Sequence, residues 1–404
     1  MTSNPTTLRL DRLDRLESYL RQDPDNASLL GDTFEAALQA GELARAELHL
    51  QHAQSLGSAL KLWGLREAHL RLAQHRWDDA ELCLQRLMVG DDVPAELRAV
   101  LAHDLAYVAL RRGDFENGVA QLAPLVEALP PTEPLDAQWQ ALWLRLLHRL
   151  HRRELAMAWA SARWAAKTLA PDATGVASLI ALDADDASRS LLWAEHALKK
   201  DGQQLEALVS RATLALGQNN PVLSRQLLEQ ALQHNADDGR ILSALGFTDL
   251  LERRLDEARA NFQQAVKNMP RHIGTWHGLG WTLLLQSDLA GAHQAFETAL
   301  ALDRNFSENH GGLAIILALQ QRKAEAEQAI ERALRLDRSS VSARYAETIL
   351  KGEAHDLKAI RRLATRVLGG RPGMLGGSML DAAVRAAPVL QSEEGQGADT
   401  LPKK

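Results

Sequence analysis

Hydrophobic residues recur three and four positions apart along most of this chain, in short runs broken by polar turns. The clearest stretch runs from Ile273 to Phe306, IGTWHGLGWTLLLQSDLAGAHQAFETALALDRNF. Trp276, Leu279, Gly280 and Leu283 share one face of a predicted helix. Ala292, Phe296 and Ala299 do the same on a second helix, and Gln286-Ser287-Asp288 separates the two. Small residues at Gly280 and Ala292 let antiparallel helices approach closely, while Trp276 and Phe296 fill the space beside them.

The same pattern returns at a fixed period. Thirty-four residues earlier stand Leu242, Leu245, Gly246, Ala258, Phe262, Ala265 and Pro270. Thirty-four residues later stand His310, Leu313, Ala314, Ala326, Ile330, Ala333 and Arg338. The spacing W-x2-L-G…A-x3-F…A at this period resembles the tetratricopeptide repeat (TPR). The resemblance implies an all-α fold, a right-handed superhelical solenoid of about ten stacked helical hairpins.

The rest of the chain is read onto that unit. Residues 1–26 form an N-terminal capping helix, with Leu13, Leu16 and Leu20 on one face and Asp23-Pro24-Asp25-Asn26 ending it. Residues 27–130 hold degenerate TPR-like repeats. Three prolines in Pro130-Pro131-Thr132-Glu133-Pro134 predict a loop over 131–136, which marks a domain boundary or lengthens one connection. Degenerate repeats resume over 137–238, and three well-formed ones cover 239–340. A terminal helix pair is expected over 341–368. A Gly-rich linker, a short helix and a polar tail are expected over 369–404.

Composition narrows the function. The 404 residues carry a formal net charge of -6, against the basic balance of a general nucleic-acid binder. One cysteine, Cys83, rules out an intrachain disulfide and fits a reducing compartment. The N-terminal stretch is too charged for a secretory signal, and no apolar run is long enough to span a bilayer. A cytoplasmic protein is expected, and the Ala-, Leu- and Arg-rich composition points to a bacterial one.

No motif carries enzyme chemistry, so no catalytic residue, cofactor or metal is expected. The glycine-rich GGRPGMLGG lacks the Lys-Ser/Thr of a phosphate loop. His148 and His151 have no further ligands nearby in sequence. Asp183-Ala184-Asp185-Asp186 lacks the glycine and the terminal glutamate of a calcium loop. A basic run from Arg145 to Arg153, flanked by tryptophans, is read as a solvated helix face rather than a nucleic-acid site.

The resemblance also implies where a partner lies. First helices of such repeats line a groove that takes a peptide or a helix. The matching positions are Arg240, Ser243, Phe247, Leu250 and Leu251; His277, Trp281, Leu284 and Leu285; and Glu308, Gly311, Ile315, Ala318 and Leu319. Phe247, Trp281 and Ile315 stand where a carboxylate clamp has asparagine, and Ser243, His277 and Gly311 where it has lysine. The expected site is an apolar groove for a protein segment, formed by Arg240, Ser243, Phe247, His277, Trp281, Leu285, Glu308 and Ile315. The expected function is a non-enzymatic scaffold or chaperone-like adaptor, in the setting of a bacterial secretion or surface-assembly system. The alternative is an accessory subunit that docks on an enzyme and positions or regulates it.

Overall fold

The computed structural model describes residues 5–57, 60–89 and 93–353. They form helices and turns, with no strand among the described residues. The chain divides into two compact units, Met1–Ala173 and Thr174–Lys404. In the first, α1 (Pro5–Leu20) is followed by the hairpins α2 (Ala27–Ala40)/α3 (Leu43–Ser55), α4 (Leu60–Ala73)/α5 (Trp77–Met88), α6 (Ala95–Arg112)/α7 (Phe115–Val126) and α8 (Ala137–Arg149)/α9 (Arg153–Ala165).

The division falls within α10 (Pro171–Asp183), which is followed by α11 (Ala187–Lys200). The second unit continues with α12 (Leu205–Gly217)/α13 (Pro221–His234) and α14 (Gly239–Leu251)/α15 (Leu255–Asn268). It ends with α16 (Ile273–Leu285)/α17 (Leu289–Leu302), α18 (Ser307–Leu319)/α19 (Lys323–Leu336) and α20 (Val341–Leu350). The expected partner of α20, and everything assigned to 369–404, lies outside the described residues.

The repeat register is stricter in the structure than three matching segments foretell. First helices begin at Ala137, Pro171, Leu205, Gly239, Ile273, Ser307 and Val341, each 34 residues after the last. One residue in every hairpin turn takes the left-handed conformation, at Asp185, Asn219, Arg253, Ser287 and Gln321 in the second unit. There the first helix closes in a double hydrogen bond. Arg253 N–H donates to Leu250 C=O at 3.1 Å and Arg254 N–H to Asp249 C=O at 2.8 Å. In the first unit the same place is held by Gly41, His75, Gly113 and His151.

The proline segment lengthens the connection between α7 and α8, which pack against each other on either side of it. Three side chains tie it down. Arg163 donates to Glu133 C=O at 2.9 Å, Thr168 to Pro131 C=O at 2.5 Å and Gln140 to Leu135 C=O at 2.8 Å. Arg163 and Gln140 are themselves buried, so the loop's carbonyls are satisfied inside the unit.

In the second unit one large side chain from each second helix fills the gap between two first helices. The Phe262 ring sits between Gly246 and Gly278, where an added Cβ would lie 2.8 and 2.5 Å from it. Phe296 sits likewise between Gly280 and Gly312, at 2.6 and 2.7 Å. Elsewhere the filler shrinks and its neighbours grow: Leu228 shares a core cluster with Ala212 and Ala244, and Ile330 with Ala314 and Ala346. All of these fillers and flanks are buried. Volume is thus balanced at each joint, as close packing requires.

Candidate functional site

The expected groove positions lie on α14, α16 and α18. Asp183, the last residue of α10, pairs with Arg240 in the first turn of α14, Oδ1 to Nη1 at 2.8 Å and Oδ2 to Nη2 at 3.1 Å. That pair joins α14 to α10 past α12. Arg240 is therefore engaged rather than free.

Three of the expected residues are turned inward. Ser243 is buried and accepts a hydrogen bond from Thr275 Oγ1 at 2.9 Å, joining α14 to α16. Ile315 is 1 % exposed and belongs to the core with Ile330 and Ala346, so it offers a partner no surface. Glu308 accepts from the backbone N–H groups of Val341 at 3.0 Å and Ser342 at 3.1 Å, and from the Ser342 hydroxyl. Its carboxylate satisfies the N-terminus of α20 instead of edging a groove. In each case a helix contact of the repeat has claimed the side chain.

The remaining four lie together. Phe247 is half-buried and meets Phe262 edge-on at 4.9 Å. Trp281 is half-buried, with its ring 6.3 Å from Phe296. Its indole N–H donates to His277 Nε2 at 3.1 Å, and the opposite ring nitrogen, Nδ1, lies 2.8 Å from Asn309 Oδ1. Burial holds the His277 pKa below the ordinary imidazole value, only partly opposed by the Asn309 hydrogen bond and the Glu308 charge. Leu285 is exposed and has two counterparts at the repeat spacing: Leu251 is 41 % exposed, Leu285 56 % and Leu319 49 %. Half-buried Leu250 and Leu284 flank this row.

Two polar clusters escaped the sequence reading. Asp249 is fully buried, 2.6 Å from Arg225 Nη2 and 2.7 Å from Asn261 Nδ2, and so ties α13 to α14 and α15. The signal was an aspartate where the next two repeats have Leu283 and Leu317. In the first unit, Asp104 on α6 lies 3.0 Å from His69 Nε2 on α4 and 3.0 Å from His103 Nδ1. The Asp104 hydrogen bond and charge raise the His69 pKa above its ordinary value, against the effect of burial.

Among the described residues no group of three His, Cys, Asp or Glu side chains is arranged to hold a metal. Within the basic run, Arg152 pairs with Glu116 at 2.7 Å and Arg145 approaches Asp172 at 3.4 Å, which takes up part of its charge. No helix among the described residues is long and apolar enough to cross a membrane.

Comparison with known proteins bears on the fold. The tetratricopeptide repeat family model matches residues 283–349. No curated protein matches the sequence. Among solved structures, an IFIT1 monomeric mutant with m7Gppp-AAAA is 13 % identical, with 94 % of each chain covered and a TM-score of 0.50. PilF of Pseudomonas aeruginosa is 19 % identical, over 50 % of this chain and 93 % of that one, with a TM-score of 0.40. YrrB, described as a TPR protein with an unusual peptide-binding site, is 15 % identical over 44 % and 91 %, with a TM-score of 0.35. By its 34-residue register, its helical hairpins and that family match, this chain carries tetratricopeptide repeats.

Proposed function

We propose that the chain is a non-enzymatic interaction scaffold, an adaptor that binds an apolar or amphipathic segment of another protein on the first-helix face of its second unit. The supporting observation is the row of exposed leucines, Leu251, Leu285 and Leu319, spaced by the repeat and backed by Phe247 and Trp281. Exposed leucines at the repeat spacing, contiguous with half-buried aromatic side chains on the first helices, support a docking surface for an apolar segment. The buried free thiol of Cys83 is compatible with a reducing compartment, and the cytoplasm is the location this reading assigns.

Immobilised wild type and a Leu251→Ser/Leu285→Ser/Leu319→Ser variant of matched circular dichroism, run over native lysate at high salt, test the proposal. The expected result is a polypeptide held by wild type and missing from the variant, since apolar contact survives screening. Equal retention by both would remove this face from consideration.

A further inference from the structure

A cleft of about 570 Å³ opens in the first unit between α3, α4 and α5. Ala53, Trp63, Gly64, Glu67, Cys83 and Leu87 are among its walls. The repeat explains why there is space. Counted back from the left-handed residue of the hairpin turn, Gly64 stands where the regular repeats have Leu242, Trp276 and His310. Glu67 stands where they have Leu245, Leu279 and Leu313. One large side chain is therefore missing, and an apolar one is replaced by a carboxylate. Leu87 takes part of the vacated place, since an added Cβ on Gly64 would meet it at 2.9 Å.

The walls are apolar and held in place. Trp63 is 6 % exposed, meets Phe34 edge-on at 5.6 Å and carries the Arg66 guanidinium over its ring at 4.7 Å. Burial pushes the Cys83 thiol pKa up, so at neutral pH the sulfur is uncharged and extends the apolar lining. The charges at the cleft differ in how far they are engaged. Glu67 lies 3.4 Å from Arg71, which itself closes on Glu47. Arg86 also lines the cleft, is exposed, and makes no hydrogen bond or ion pair among the described residues. A guanidinium in that state offers two parallel N–H donors to a carboxylate. A doubly charged phosphate is held less well, because it meets the charge of Glu67 more strongly.

We propose that this cleft binds a small amphiphilic carboxylate, its apolar body against Trp63 and Leu87 and its head on Arg86. The volume lies in the range of small-molecule pockets, and the lining has their usual form, apolar walls with a few polar groups. The site goes beyond the docking reading of the second unit and does not rest on it. A scaffold with this site takes a small molecule in its first unit whether or not a polypeptide docks on its second.

Cys83 is the only thiol in the chain and lines the cleft, so it reports occupancy locally. The full chain is alkylated with iodoacetamide across a titration of octanoate, and modification is followed by intact mass. The expected result is saturable protection of Cys83. Octanol, which has the same body and no charge, half-saturates at about tenfold higher concentration, because it lacks the charged hydrogen bonds. Octanoate on Arg86→Gln shows the same shift of about tenfold. Glu67→Gln removes the opposing carboxylate and lowers half-saturation about twofold. Arg86 is exposed, so its variant keeps the fold. No saturable protection, or the same half-saturation in wild type and Arg86→Gln, overturns the proposal.

Discussion

Helices α4 and α6 of the first unit and helices α14 to α20 of the second join successive first helices by different physics at the same repeat position. In the first unit that position holds Arg66 and Asp104. Each reaches a charged or titratable group on the preceding first helix: Arg66 Nε lies 3.1 Å from Glu35 and Asp104 3.0 Å from His69. In α14, α16, α18 and α20 of the second unit it holds Ala244, Gly278, Gly312 and Ala346, which close on Leu228, Phe262, Phe296 and Ile330. One joint is an ion pair and the other is a matched set of volumes. One backbone repeat accepts both, so the stacking is set by geometry and its chemistry is free to vary.

Breaking a volume joint has the largest expected effect. Phe296→Ala leaves a cavity between α16 and α18 and costs about 3–5 kcal/mol in urea unfolding of the second unit. Adding volume costs less: Gly246→Ala with Gly278→Ala forces the Phe262 ring aside and costs about 1–3 kcal/mol. Phe262→Leu in that background rebuilds the Ala212/Leu228/Ala244 joint and recovers most of the loss. Simple addition of the three effects would mean that volume is not what couples these sites.

Breaking an ion-pair joint costs less again. Asp104→Asn keeps the shape but removes the charge facing His69 and His103, and costs about 1–2 kcal/mol in the first unit. It also removes a pH response. The folded-state pKa of His69 is raised, so its contribution is complete below the ordinary imidazole value and fades as pH rises through the raised one. His277 and His272 behave oppositely. Burial lowers both, so their contribution is complete above the ordinary value and fades as pH falls toward the lowered ones. Between pH 7.5 and 5.5 the second unit therefore loses stability on acidification while the His69 joint gains. Hydrogen exchange in α4 and α16 at the two pH values reads the contrast directly.

The smallest effect concerns the turns. The first unit has glycine in two of its hairpin turns, Gly41 and Gly113, whereas the second unit's hairpin turns from Asp185 to Gln321 have none. Gln321→Gly relieves a left-handed glutamine and raises stability by about 0.5–1 kcal/mol, net of the chain entropy glycine brings. A loss instead would mean that the Gln321 side chain holds the turn.

Much of this architecture is legible from residue types alone. Gly280, Ala292 and Phe296 announce a close helix pair, because only small residues beside a large one allow it. Phase was harder to see outside 239–340, since Leu228 with Ala212 and Ala244 packs like Phe296 with Gly280 and Gly312 but shares no letter with it. The proposed binding face was legible only in part. Its positions follow from the period, yet whether a side chain faces a partner or a neighbouring helix depends on what lies one repeat away. Ser243 finds Thr275, Glu308 finds the N-terminus of α20, and Ile315 finds Ile330. Leu251, Leu285 and Leu319 find nothing of that kind and stay in water.

The most direct test is a hydrogen-exchange footprint of the chain with and without the polypeptide it captures. The account predicts slowed exchange at the C-terminal turns of α14, α16 and α18, around Leu251, Leu285 and Leu319, with α4 and α6 unchanged. Protection centred on α4 and α6, around His69 and Asp104, with the leucine row unchanged, would contradict it and move the binding surface to the ion-paired unit.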